Sequence, residues 1–119
     1  MLLAADQARL SGHADEGAEL LRKLLREHPS DPRAPLAAFT LGRLLLIELG
    51  RPAEAAAIFA QARRIAPTGP FAEDALVREV EALSKAGLAA EAHARALEYQ
   101  HLYPNGQRMA TVRTAGGIK

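Results

Sequence analysis

Apolar positions recur at steps of three and four along almost the whole chain, the period of an α-helix that buries one face. Over 14–28, Gly17, Leu21, Leu24, Leu25 and His28 share one face, and Asp15, Glu16, Glu19, Arg22, Lys23, Arg26 and Glu27 share the other. Further on, Ala55, Phe59, Ala62 and Ala66 form a stripe, and then Ala92, Ala96, Tyr99 and Tyr103 form another. Segment 34–49 has no polar face: Leu36, Phe39, Leu41, Leu44, Leu45, Leu46, Ile47 and Leu49 point to a helix buried on several sides. Broken at its glycines and prolines, the pattern predicts helices over 2–11, 14–28, 34–49, 52–66, 71–86 and 89–103, with a short one near 106–114.

The breaks themselves repeat. Gly12, Gly50 and Gly87 are followed seventeen residues later by Pro29, Pro67 and Pro104, so both sets advance by 38 and then 37. Each glycine is followed at +4 by glutamate and at +5 by a small residue: Glu16-Gly17, Glu54-Ala55 and Glu91-Ala92. This frame describes a helix hairpin. Glycine supplies the positive φ that ends one helix. Glutamate suits the positive end of the next helix dipole. The small residue lets two helices approach closely, and proline closes the unit because it lacks an N–H.

Composition agrees with an all-α chain. Ala and Leu make 44 of the 119 residues, both strong helix formers, while aromatics are 4%. There is no cysteine, which removes disulfide scaffolds, thiolate zinc sites and thiol catalysis. Fifteen basic residues against 14 acidic ones give a net charge of +1, with neither half strongly basic, so no electrostatic case exists for nucleic acid or an anionic membrane. No apolar run approaches the roughly 18 residues of a membrane span. The first residues, Met1-Leu2-Leu3-Ala4-Ala5-Asp6, lack the basic stretch of a secretory signal.

The repeating residues resemble the tetratricopeptide repeat. In the middle unit Leu41-Gly42 followed by Leu45 matches its first helix, with Ala38 in the aromatic position. Ala55, Phe59, Ala62 and Pro67 match its second. The third unit matches through Gly87, Ala92 and Pro104, with Ala96 and Tyr99 exchanging sizes. The first matches through Gly12, Gly17, Leu21, Leu24 and Pro29. The period is longer than the family's, and the joints Pro29-Ser-Asp-Pro-Arg-Ala-Pro35 and Pro67-Thr-Gly-Pro70 are rich in proline. Such joints are similar to those of bacterial envelope repeat proteins, among them the Tol–Pal coordinator and an outer-membrane assembly lipoprotein. The stretch from Phe71 to Gly106 is similar to repeat tails of FecR-type anti-sigma regulators. The resemblance implies an α-α superhelix, a right-handed solenoid of about three hairpins. Repeats would fall at 1–32, 33–69 and 70–105, with a cap at 106–114 and a flexible tail at 115–119.

The resemblance also implies a function: a protein–protein interaction module whose concave first-helix face takes a peptide or helix of a partner. The cell envelope or periplasm is the compartment it suggests, although a chain without cysteine is equally compatible with the cytoplasm. The groove residues would be Phe39, Arg43 and Leu46 from one first helix and Asp74, Arg78 and Glu81 from the next. Members that clamp a partner's terminal carboxylate carry asparagine after the glycine. Arg43 stands there instead, suited to an acidic group.

Chemistry has little to build on. His93 and His101 are two helical turns apart, and His13 and His28 flank opposite ends of another helix, so no metal site is expected. Only Ser11, Ser30 and Ser84 offer hydroxyl nucleophiles of that type, each near a turn or helix end, and no phosphate-loop or nucleophile-elbow motif occurs. No enzyme activity and no cofactor are expected. Phe39, Phe59, Phe71, Tyr99 and Tyr103 read as core and joint packing, with Phe71 stapling the start of its helix. The charges Glu73, Asp74, Arg78, Glu79 and Glu81 read as a solvated face. Leu2, Leu3, Leu10, Leu20 and Leu25 suggest an uncapped apolar N-terminal end, hence a piece of a longer protein or an alternative role in self-assembly through that end.

Overall fold

The computed structural model describes residues 13–118, so the helix expected over 2–11, Gly12 and Leu2, Leu3 and Leu10 of the expected apolar N-terminal end lie outside the described residues, while Leu25 is buried in the core and Leu20 is partly buried against it. Within 13–118 the chain forms six helices and no strand: α1 (Ala14–Glu27), α2 (Ala34–Arg43), α3 (Pro52–Ile65), α4 (Ala72–Lys85), α5 (Ala89–Leu102) and α6 (Met109–Ala115). α2 runs directly into a π-helical turn over Leu44–Glu48. Each helix packs mainly on the one before it and the one after it, giving a body of 42 × 27 × 21 Å.

Local chemistry repeats with the frame. The N–H groups of Asp31, Gly69 and Gly106 donate to the carbonyls of His28, Ala66 and Tyr103 at 3.0, 3.1 and 2.9 Å. Those of Ala34, Ala72 and Met109 then donate to the carbonyls of Asp31, Gly69 and Gly106. Three joints thus turn the same way, five residues from proline to helix start. α6 therefore begins where the first helix of a further unit would begin, and is only two turns long. Gly50 and Gly87 hold φ of +61° and +77°, as the sequence demands of the residue between two helices.

The π turn absorbs the one-residue difference between the two repeat steps. Fifteen residues separate Ala72 from Gly87, but sixteen separate Ala34 from Gly50. At the second hairpin Leu88 N–H reaches back five residues to the Leu83 carbonyl. At the first, Arg51 N–H must reach back six, to Leu45. A helix that keeps both ends in register with one residue extra must widen one turn.

The core forms two clusters. One gathers Leu21, Leu24, Leu41, Leu45, Phe59 and their alanine neighbours from α1, α2 and α3, reaching into α4. The other joins Leu76, Val77 and Val80 of α4 to Ala96 and Tyr99 of α5 and Val112 of α6. Gly17, Ala55 and Ala92 are all buried, as close helix approach requires. At Gly42 a Cβ would stand 2.6 Å from Phe59 Cε1, so glycine lets the ring lie against the backbone.

Several expectations need correction. His28 is exposed, because the chain leaves the helix there and turns its side chain away from the stripe. α2 and its π turn are buried on several sides, as expected, but leave one flank open, where Leu36 is 41% exposed and Ile47 60%. Phe71 does not staple its own helix, since its ring stacks on Phe39 of α2 at 5.6 Å. Glu79 does not belong to a solvated face, being only 6% exposed. The expected tail at 115–119 is packed as far as Ile118. Gly116 is buried against Ala96, its carbonyl lies 2.9 Å from His93 Nδ1, and Ile118 N–H donates to Arg113. A positive φ at Gly117 folds this end back onto the helices.

Candidate functional site

The six residues expected to line a groove do not share one environment. Leu46 is buried, and the Phe39 ring is held between Phe59, edge-on at 5.7 Å, and Phe71. Neither is free to grip a partner. Arg43 and Asp74 are exposed. Arg78 and Glu81 are half-buried and 3.8 Å apart, and Glu81 also meets Arg108, at the start of α6, at 3.5 Å. α6 leaves a hollow of about 500 Å³ against α4, lined by Glu81, Ser84, Lys85, Ala110, Thr111 and Thr114 among others.

What α2 offers to solvent is instead the row Leu36, Thr40, Arg43 and Ile47, at the spacing of one helix face. α4 repeats it 38 residues on as Asp74, Arg78, Glu81 and Lys85. The two rows differ in kind. The first has large apolar side chains at its ends and one guanidinium between them, and Arg43 has no ion-pair partner among the described residues. The second alternates in charge. Leu36 and Ile47 escaped sequence reasoning because an apolar residue on an apolar helix carries no mark of which side is covered.

A second constellation lies on the other side of these helices. Glu79 stands two residues before Glu81 and so on roughly the opposite side of α4. Arg63 of α3 donates to Glu79 Oε1 from Nε at 3.1 Å and from Nη2 at 2.8 Å, and from Nη1 to Glu98 Oε2 of α5 at 3.1 Å. Arg95 Nη1 approaches Glu98 Oε1 at 3.2 Å. Burial opposes the Arg63 charge, but the two carboxylates outweigh it and raise its pKa. Burial also pushes the Glu79 carboxyl above its ordinary value, with Arg63 offsetting only part of the cost. Ionisation of the pair is thus firmly favoured at the arginine and opposed by desolvation at the glutamate.

This network floors a hollow of about 570 Å³ lined also by Ala60, Arg64, Pro67, Thr68, Leu102 and Tyr103. A neighbouring hollow of about 520 Å³ shares Pro67, Thr68, Leu102 and Tyr103 and adds Glu73, whose Oε2 accepts the Tyr99 hydroxyl at 2.8 Å. With the ring buried and a carboxylate beside it, the Tyr99 phenol is pushed up to about 12.

The repeat frame supplies a comparison within the chain. A smaller hollow of about 240 Å³ between α1 and α3 is lined by Arg22, Leu25, Arg26, Leu41, Ile58 and Gln61. Advanced by 38 on α1 and α2 and by 37 on α3, these positions become Ala60, Arg63, Arg64, Glu79, Arg95 and Glu98. Superposing the units in sequence would have exposed this exchange of apolar for charged residues. The residues that mark the repeat are those alike in every unit, so the exchanged ones carry no sign of it. Among the described residues no group of three His, Asp or Glu is placed to hold a metal. No protein-family model and no curated protein matches the chain.

Proposed function

We propose that the chain is a tetratricopeptide-type α-solenoid that acts as a protein-binding module, with the outer row of its first helices as the concave binding face. The observation that carries this reading is the row Leu36–Thr40–Arg43–Ile47, apolar at both ends and cationic in the middle, with Ile47 60% exposed. A solvated helix face has no need of large apolar side chains at that spacing, whereas a docked peptide or helix covers them. The matching row Asp74–Arg78–Glu81–Lys85 supplies charges of both signs for orientation. Arg43, which has no carboxylate partner among the described residues, takes an acidic side chain of the partner. A role as adaptor or regulator in a bacterial cell envelope rests on the resemblance of the proline-rich joints.

Peptides selected from a display library on the immobilised chain test this. Binders should shift amides around Leu36, Arg43, Ile47, Asp74 and Arg78 in NMR titrations. Arg43→Glu with Ile47→Glu should weaken them by about a hundredfold at unchanged helicity, since a central charge and an apolar anchor are both lost. A selection without enrichment, or binders indifferent to the double substitution, would sink the proposal.

A further inference from the structure

The charged hollow between α3, α4 and α5 is not required by the fold. The preceding interval closes the same backbone positions with Leu25, Leu41 and Ile58, in less than half the space. Replacing an apolar contact by buried charges generally gives no stability, and often costs some. A chain that places Arg63, Glu79, Arg95 and Glu98 there, and opens the hollow to about 570 Å³, has a use for the space. The size falls within that of small-ligand sites.

Its unused groups define what fits. Arg63 holds Glu79 Oε1 and Glu98 Oε2, and Arg95 stands 3.2 Å from Glu98 Oε1, a buried oxygen that accepts no hydrogen bond. Three guanidinium groups against two carboxylates leave one positive charge in this hollow, and Arg64 is the one without a partner among the described residues. Arg63 uses three of its five N–H donors and keeps two. Thr68 adds a hydroxyl. Toward the other end the lining turns apolar, with Pro67, the half-buried Tyr103 ring and Leu102, which is 51% exposed. Glu73 lies beyond them, its Oε2 taken by Tyr99. The complement of such a site carries a single anion and an apolar body.

We propose that this hollow binds an amphiphilic monocarboxylate, its carboxylate on Arg64 with the spare donors of Arg63 and Arg95, its apolar body across Pro67, Leu102 and Tyr103. The chemistry is shared by a free carboxylic acid and by the C-terminus of a chain ending in an apolar residue. The site stands on the opposite side of α4 from the proposed protein-binding face, so each succeeds or fails alone.

The test uses the whole chain labelled with ¹⁵N. Sodium hexanoate, an N-acetylated tripeptide ending in leucine and the C-terminal amide of that tripeptide are titrated separately. Hexanoate or the free-acid tripeptide should give saturable shifts confined to 60–68 and 95–103, and the amide should give none. Arg64→Ala leaves the ion network untouched. It should weaken binding about tenfold or more, the loss of a charge-assisted contact, at unchanged thermal unfolding. Tighter binding of the tripeptide than of hexanoate assigns the site to a chain terminus, and the reverse assigns it to a free acid. A variant that copies the apolar interval, Arg63→Leu/Glu79→Leu/Arg95→Ile/Glu98→Gln, should stay folded and lose the response. Three results would each overturn the proposal: no saturable shift with either acid into the millimolar range, an amide that binds as well as the acid, or an Arg64→Ala protein that titrates like the original.

Discussion

The interval between α1 and α3 and the interval between α3 and α5 are built on the same backbone frame and closed in opposite ways. In the first, Leu25, Leu41 and Ile58 meet, with Arg22, Arg26 and Gln61 around them. In the second, Arg63, Glu79 and Arg95 stand at the equivalent places and Glu98 replaces the glutamine. The apolar closure gains from leaving water, at about 25 cal/mol per Å² buried. The charged closure must first desolvate a carboxylate that is 6% exposed, and recovers this only through well-placed partners. The hairpin frame tolerates both. What changes is directionality, since an ion network accepts one geometry where an apolar contact accepts many, and the space left over.

Moving one character into the other region should have the largest effect. Leu41→Glu buries a carboxylate at a position that is 0% exposed, with Leu25 where Arg63 would hold it and only Arg22 and Arg26 at the rim of the hollow, and is expected to cost about 4 kcal/mol, read by chemical denaturation. Arg63→Leu alone strands Glu79 and should cost about 3 to 5 kcal/mol by the same assay. The fourfold copy of the apolar interval should be neutral, or more stable by about 1 to 4 kcal/mol, far from the sum of its parts. A copy that unfolds would mean that the network holds the two hairpins in register and is not replaceable.

The smallest effect is one of pH. The folded-state pKa of Glu79 is raised, so the fold binds this proton more readily than the unfolded chain does. Its contribution is fully present below the ordinary glutamate value and is lost as pH rises through the raised one. The original chain should therefore gain stability relative to the fourfold copy as pH is lowered from 7 through that window. Asp31 runs the other way. Hydrogen bonds from the Arg33 side chain and backbone hold it down at about 2, so its contribution is present above the ordinary value of 3.8 and lost towards about 2. Both proteins keep Asp31, and its effect cancels in their difference. A flat difference between pH 7 and 4 would show that Glu79 titrates as an ordinary surface carboxylate.

Much of the fold was legible because its signals are local. Helices expected at 14–28, 52–66, 71–86 and 89–103 occupy Ala14–Glu27, Pro52–Ile65, Ala72–Lys85 and Ala89–Leu102. The 38-to-37 difference in repeat step was visible too, although only the structure converts it into the π turn at Leu44–Glu48. The sites were far less legible. Leu46 and Ile47 are adjacent and equally apolar, yet one is buried and the other 60% exposed. Arg63 and Glu79 are separated by 16 residues, and Arg63 and Glu98 by 35, so no helical period brings them together.

By itself the sequence determined, to within a residue, where α1, α3, α4 and α5 begin and end. Apolar period, the positive φ open to Gly50 and Gly87, and the missing N–H of Pro29, Pro67 and Pro104 act within a few residues of chain. Only the tertiary structure decided which flank of α2 faces water, which arginine neutralises Glu79 and where space is left between helices. Those outcomes depend on how neighbouring helices stack, and burial is a property of the stack as a whole.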